Sequence, residues 1–383
     1  MPWKETCPME QRIEMIGDWI KNETSVTELG KVYGVSRVTI YKWLDRFKVD
    51  GPVGFKEHSR APRHHPNAVP VEMVKALVSE RLNHPRWGPK KIRSILIERY
   101  PGEEWPSLST ISGIFKREGL IKPRRVRHTV EAYTRPFLEC DSPNKVWSAD
   151  FKGQFRTLDG KLCYPLTIID NYSRFLLLCR GLEHPTHDQV RPWFEMTFRR
   201  YGLPEAIRTD NGSPFASTGL QGLSRLSAWF IKLGIRPERI EKGHPEQNGR
   251  QERMHRTLKE EIANPPKDNL DEQQKAFNEF VEEYNFNRPH EALDMKRPWM
   301  VYEVSKQGYI PRYAPLKYAP EFAVRTVRAS GEFRWNGKLV YLSQALSGER
   351  IGLLQLKDEN EWEIRYSLQK LGVFYDDSCT IKV

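Results

Sequence analysis

Hydrophobic period changes twice along this chain of 383 residues, and the changes exclude a fold of one element type. Ahead of Val146 the apolar residues recur at the three-to-four spacing of helices; from Val146 short strands mix with helices; from about residue 320 only strands are signalled. The length also exceeds what one ordinary core accommodates. We expect a multidomain α/β protein: helical units over 1–50 and 70–122, linkers over 51–69 and 123–143, an α/β body over 144–300, and a small β-barrel over 318–383.

Within the first unit, Ile13, Ile16 and Ile20 mark a helix. Ser25 and Glu28 make a capping box for a second helix carrying Val26, Leu29 and Val32, which Gly34 breaks. Ser36 caps a third helix with Ile40, Trp43, Leu44 and Phe47 at i, i+3, i+4, i+7, and Arg37, Thr39, Tyr41, Lys42 and Arg46 lie opposite. Helix, glycine turn and basic-faced helix make the helix-turn-helix plan, which sets its last helix in the DNA major groove. An ordinary three-helix bundle with solvated charges is the bland alternative. In the first linker, Arg60 and Arg63 either follow a minor groove or belong to a solvated tether, and His64-His65 has no cysteine at zinc spacing. Residues 70–122 repeat the helical theme, with Val71, Val74, Leu77, Val78 and Leu82 in one stripe, then Ile92, Ile95 and Leu96, then Ile111, Ile114 and Phe115, and we expect a second helix-turn-helix-like domain there.

Charge points to the partner. The net charge is +11, and residues 1–130 carry +9 of it. Such a basic front end favours a polyanion, here double-stranded DNA. Five scattered cysteines without a CxxC pair fit reduced thiols, no apolar run reaches a membrane span, and the N-terminus lacks a signal peptide's apolar core. A cytoplasmic, nucleoid-associated protein is expected.

In the central body, Val146–Phe155, Tyr164–Asp170 and Phe175–Cys179 read as consecutive strands. Residues 186–202 read as a helix, Ala206–Thr209 as a strand, 223–233 as a helix, 235–240 as a strand, and 248–263 and 269–287 as helices. That order gives a mixed sheet covered on both faces. In the last segment Asn336-Gly337 between apolar runs predicts a hairpin with a type I′ turn.

Three acidic motifs stand out. Asp150 ends a strand begun by Trp147, Asp210 follows another strand in Thr-Asp-Asn-Gly, and Glu252 lies in the first turn of a helix capped by Asn248 with Gln251 reaching back. Met254, Leu258 and Ile262 form that helix's buried stripe; Glu252, Arg256 and Lys259 share another face, a carboxylate followed by two cations. Three carboxylates suit two hard divalent ions, Mg²⁺ or Mn²⁺, which stabilise the attacking and leaving oxygens of a phosphodiester displacement. Glu246 competes for the third place. Glu252 is preferred because it sits on a rigid helix beside cations, whereas Glu246 follows Pro245 in a loop.

Trp147-x-x-Asp150, Thr209-Asp210-Asn211-Gly212, His244-Pro245-x-Gln247-Asn248-Gly249-x-x-Glu252-Arg253-x-His255-x-Thr257-Leu258-Lys259 and Tyr284-Asn285-x-Asn287-Arg288-Pro289-His290 together resemble the core of insertion-sequence transposases and retroviral integrases. The resemblance covers nearly the whole chain, most loosely its last 65 or so residues. It implies a ribonuclease-H-like core, a DDE site of Asp150, Asp210 and Glu252, and DNA-end contacts by Arg256 and Lys259. It further implies metal-dependent cleavage of terminal inverted repeats, strand transfer into target DNA, and a homodimer or larger assembly on DNA. Two features depart from the pattern. The Asp210–Glu252 interval is longer than usual, with the extra residues assigned to Ser213–Ser227, and the His/Cys zinc module of retroviral integrases is absent. A DNA-binding repressor with a silent core, and a nuclease of the same fold acting on RNA–DNA hybrids, are the competing readings.

Overall fold

A computed structural model describes residues 7–21, 24–57, 68–121, 137–217, 219, 222–241, 244–263, 265–311 and 315–382. Arg60, Arg63, His64, His65 and most of the second linker lie outside the described residues, as does the side chain of Glu246. The chain divides into two compact units, Met1–Pro70 and Val71–Val383.

In the first unit α1 (Pro8–Ile20), α2 (Val26–Val32) and α3 (Arg37–Asp50) follow the expected order. Ser25 and Glu28 close the capping box on α2, Ser36 caps α3, and Gly34 turns between them at φ 64°. The core is Met15, Ile16, Leu29, Ile40, Trp43, Leu44 and Phe55. Ile13 and Ile20 are exposed because α1 turns the Met15–Ile16–Trp19 side inward instead, and Val32 is exposed because α2 packs through Leu29 and Val26. The first linker also starts later than expected. Gly51–Phe55 is a 3-10 turn whose Phe55 stacks on Phe47 at 5.4 Å and buries its ring, so these residues complete the bundle.

The second unit opens with α4 (Val71–Asn83), α5 (Pro89–Arg99) and α6 (Leu108–Arg117), the last capped by Ser107. Ile92, Ile95, Leu96, Ile111, Ile114 and Phe115 are buried as the spacing requires, but Val71 and Leu82 are exposed. What α4 buries beside Leu77 is Glu80, held by Arg99 at 2.6 Å.

The body follows as β1 (Val146–Phe151), β2 (Phe155–Arg156), β3 (Leu162–Asp170), β4 (Leu176–Leu182), α7 (His187–Tyr201), β5 (Ala206–Thr209), α8 (Arg225–Lys232), β6 (Arg236–Arg239), α9 (Gly249–Leu258) and α10 (Leu270–Glu282). The strands lie in the order β4-β3-β1-β5-β6, with β2 paired to β3. β3 runs antiparallel to β1 and β4, whereas β1, β5 and β6 are parallel. This is the mixed sheet of a ribonuclease-H-like core. α7 and α8 cover one face through Val190, Phe194, Phe198, Leu226 and Phe230. α9 and α10 cover the other, where Met254, Leu258, Phe277 and Phe280 meet Cys163, Ile169, Leu176 and Cys179.

The C-terminal segment does not form the expected closed barrel. β7 (Phe322–Thr326), β10 (Arg350–Gln355), β11 (Glu361–Tyr366), β12 (Gln369–Tyr375) and β13 (Thr380–Lys382) make an open sheet, β13-β12-β11-β10-β7. The hairpin of β8 (Glu332–Trp335) and β9 (Lys338–Tyr341) pairs separately. Its turn has Asn336 and Gly337 both at positive φ, as a type I′ turn needs. Phe333, Trp335 and Val340 pack on Ile351, Leu353, Ile364 and Phe374, and Trp335 Nε1 donates to Asp376 Oδ1 at 2.9 Å, so side chains join hairpin and sheet.

Candidate active site

Two carboxylates leave the sheet at the same level. Ala149 and Thr209 are register partners on the parallel strands β1 and β5, and Asp150 and Asp210 are the next residue of each. The Thr-Asp-Asn-Gly sequence has a local reason at each position. Asp210 Oδ1 accepts the Gly212 amide at 3.1 Å; Asn211 Nδ2 donates to Ile240 O at 2.6 Å, tying the loop to the end of β6. A Cβ on Gly212 would stand 2.9 Å from Asp210 Oδ2, so only glycine leaves the carboxylate its place.

Asp150 is the most perturbed acid of the three. Burial, then the negative charge of Asp210, push its carboxyl up to about 7; the Phe151 amide, donating to Oδ1 at 2.7 Å, and Lys152 oppose them, and Glu252 adds to the upward push. Burial also raises Asp210, against the pull of the Gly212 amide. Glu252 is exposed on the first turn of α9. An Asp150 carboxyl raised by the charges of Asp210 and Glu252 marks an oxygen donor set crowded with negative charge, and a hard divalent cation fits that chemistry. Among the described residues, however, no three His, Cys, Asp or Glu side chains are gathered closely enough to hold a metal ion.

Behind Asp150 runs a buried chain of hydrogen bonds. Asn248 Nδ2 donates to Gln251 Oε1 at 3.2 Å, Gln251 Nε2 to Thr167 Oγ1 at 2.9 Å, and Thr167 Oγ1 to Asp150 O at 3.1 Å. His255 Nε2 stands 2.7 Å from the same hydroxyl, with Nδ1 3.8 Å from Asp150 Oδ2. Burial and the charge of Lys152 pull His255 down to about 3, so its ring is neutral at ordinary pH. This network corrects the expected capping. Asn248 makes no side-chain cap, because the 3-10 turn Pro245–Asn248 already runs into α9, and Gln251 is spent on Thr167. The expected stripe also weakens at its end: Ile262 is half-buried, in the π turn Lys259–Ala263.

The cations divide. Lys152 is lowered by burial and then by Lys259, and is held up by Asp150 and Glu252, which sets Lys152 beside the carboxylates and Lys259 near Lys152. Arg256 instead lines a neighbouring cleft with Arg250 and Arg253. Lys152 and Thr167 were not singled out from the sequence. Lys152 follows Asp150 at the two-residue strand spacing, a usable signal; Thr167 needed the β1–β3 register.

On α3, Arg37, Tyr41 and Lys42 are exposed. Thr39 serves the cap, its hydroxyl 3.0 Å from Ser36 Oγ. Arg46 is half-buried with its guanidinium 4.8 Å from the Trp43 ring, and Arg12 covers the same ring at 3.9 Å.

Two integrase core domain models match the chain, over residues 141–245 and 233–298. A helix-turn-helix domain model matches residues 11–63 and a homeodomain-like domain model residues 39–115. An uncharacterized 31.7 kDa protein of insertion element IS407 from Burkholderia multivorans is 26% identical over 246 residues, 63% of this chain and 83% of that protein. The transposase for insertion sequence element IS904 from Lactococcus lactis is 26% identical over 200 residues, 50% of this chain and 76% of that protein. The Gag-Pol polyprotein of baboon endogenous virus is 31% identical over 123 residues, 32% of this chain and 7% of the polyprotein. Among solved structures, the HTLV-2 integrase catalytic core domain in complex with magnesium aligns with 43% of this chain and 99% of its own, at 17% identity and a TM-score of 0.34.

Proposed function

We infer that this chain, an insertion-sequence transposase with a DDE core of the integrase type, cuts the terminal inverted repeats of its element and joins them to target DNA at Asp150, Asp210 and Glu252. The observation that carries this assignment is the shared level of Asp150 and Asp210, with Asp150 pushed up to about 7 by burial and its acidic neighbours. The enzyme is a metal-dependent polynucleotidyl transferase. Our reading is that these carboxylates take two Mg²⁺ or Mn²⁺ ions, which supply an activated attacking oxygen and charge neutralisation at the leaving oxygen.

The chain's own residues do the positioning. Thr167, Gln251 and His255 fix the strand that carries Asp150. Lys152 and Lys259 bring positive charge to the reacting phosphodiester, and neutral His255 adds none. Arg37, Tyr41, Lys42 and the half-buried Thr39 and Arg46 of α3 read the element end, with Arg256 on the DNA flanking the cut. Because two ends must be joined, a homodimer or larger assembly on DNA is part of the proposal, as is action in the cytoplasm at the nucleoid.

The test uses a labelled duplex copied from the DNA that flanks the gene. With Mg²⁺ the wild type should release a 3′-hydroxyl end, and Asp150→Asn or Asp210→Asn should bind the duplex but not cut it. Cutting by either variant at the wild-type rate would remove that residue from the site.

A further inference from the structure

A cleft of about 1000 Å³ opens between α5, the segment leading into β1, the β3–β4 turn and the N-terminal half of α9. Lys91, Arg174, Arg208, Arg250, Arg253 and Arg256 line it, against the carboxylates of Glu139 and Glu291. Arg208 is neutralised by Glu238 at 2.9 Å, and Glu291 faces Lys90 at 3.5 Å. Arg250 gives one N–H to Asn171 O at 2.8 Å, which fixes its direction without touching its charge. The remaining cations crowd one another. Arg174 is pulled down to about 10 by burial and by Arg250, and its buried Nη1 meets no acceptor among the described residues. Burial, Arg288 and Arg253 hold Lys91 down to about 8, against the upward pull of Glu291 and Glu261. Unpaired guanidinium groups forced together in a partly dry cleft are costly unless an anion meets them.

We propose that this cleft binds the phosphodiester backbone of DNA some distance from the reacting phosphate, as a second site distinct from the carboxylate site. The inference rests on the transposase reading above for its choice of polyanion. α9 connects the two sites. Glu252 and Lys259 face the carboxylate side, and Arg256, Arg253 and Arg250 follow around the exposed surface of the same helix at helical spacing. Arginine suits this task because its planar fork meets phosphate oxygens in pairs. A strand leaving the carboxylate site along α9 passes Arg256 first and then enters the cleft, where Lys91 supplies a cation from the second helical group. That group would thus hold the DNA from the side of the core as well as by any reading of sequence.

Fluorescence anisotropy of a labelled 30-base-pair mixed-sequence duplex, titrated with the full chain over a series of KCl concentrations, tests the cleft. Arg253→Gln changes an exposed residue and Arg174→Gln a half-buried one; thermal unfolding reports whether each variant folds. Each folded variant should bind about tenfold more weakly. The slope of log affinity against log salt should flatten by about 0.9 for each phosphate the variant no longer neutralises. If Arg174→Gln does not fold, Arg253→Gln carries the test alone. A folded Arg253→Gln protein with wild-type affinity and slope would overturn the cleft. Nicking, by the wild type with Mg²⁺, of a supercoiled plasmid that carries the element's terminal repeats is measured beside it. A wild type that never nicks, with the slope difference intact, supports the cleft while overturning the carboxylate assignment. A wild type that nicks, with no slope difference, overturns the cleft alone.

Discussion

Thr167 is the register partner of Asp150 across β3 and β1, and its hydroxyl bonds the Asp150 carbonyl at 3.1 Å. One hydroxyl thus connects the strand carrying an acid with the helix carrying Gln251, Glu252 and His255. Replacing it by a methyl keeps the shape and removes the hydroxyl shared by three partners, Asp150 O and the buried Gln251 Nε2 and His255 Nε2. Thr167→Val should therefore lose about 1–3 kcal/mol of stability by urea unfolding. DNA cleavage should fall further than the unfolded fraction explains, while duplex binding stays near wild type.

The pH dependence of stability has a definite sign. Asp150 has its folded carboxyl raised to about 7, above the ordinary value near 4 in an unfolded chain. Between those values the folded state binds more protons, so stability falls as pH rises through the window. Metal-free protein should lose of the order of 2–4 kcal/mol from this group between about pH 4 and pH 7. Asp150→Asn should flatten that part of the curve, and Mg²⁺ should restore stability at pH 7 to 8. Chemical unfolding across the pH range checks both statements.

Much of this architecture is legible in the amino-acid sequence. The switch from helical to strand patterning at Val146 locates the sheet, and Trp147, Ile207 and their neighbours become its core. What stays hidden depends on packing between distant segments. Ile13, Ile20, Val71 and Leu82 keep helical spacing yet face water, because small helical bundles bury only one flank of each helix. Phe55 sits in a Pro- and Gly-rich stretch that resembles a tether, and only stacking on Phe47 makes it core. Asn248 and Gln251 have cap-like identities, but the preceding 3-10 turn frees them for the Thr167 network. The cleft cations come from four separate stretches, so no local motif announces them.

Gly212 supports a sharper test of the Asp210 loop. Its added Cβ would come 2.9 Å from Asp210 Oδ2. Gly212→Ala should displace that carboxylate and cut DNA at least about tenfold more slowly. Its melting temperature should stay within a few degrees of wild type, since the loop lies at the strand end. Calorimetry and a cleavage time course separate the two effects.

Arg208 and Glu238 form a buried ion pair across β5 and β6, and Glu238 also accepts the Leu138 amide at 2.9 Å. Glu238→Ala would strand a buried guanidinium and a backbone donor. A loss of about 3–5 kcal/mol is expected by urea unfolding, with much of it recovered in an Arg208→Met/Glu238→Leu double variant.

Three acids far apart in sequence are assigned to one site, with Glu252 and not Glu246 as the third. Mg²⁺-dependent cleavage of a labelled terminal repeat, measured side by side for Asp150→Ala, Asp210→Ala, Glu252→Ala and Glu246→Ala, tests that assignment most directly. The first three should lose more than about a hundredfold in rate while still binding the repeat, and Glu246→Ala should cut within a few-fold of wild type. Normal cutting by Glu252→Ala, together with loss in Glu246→Ala, would contradict it.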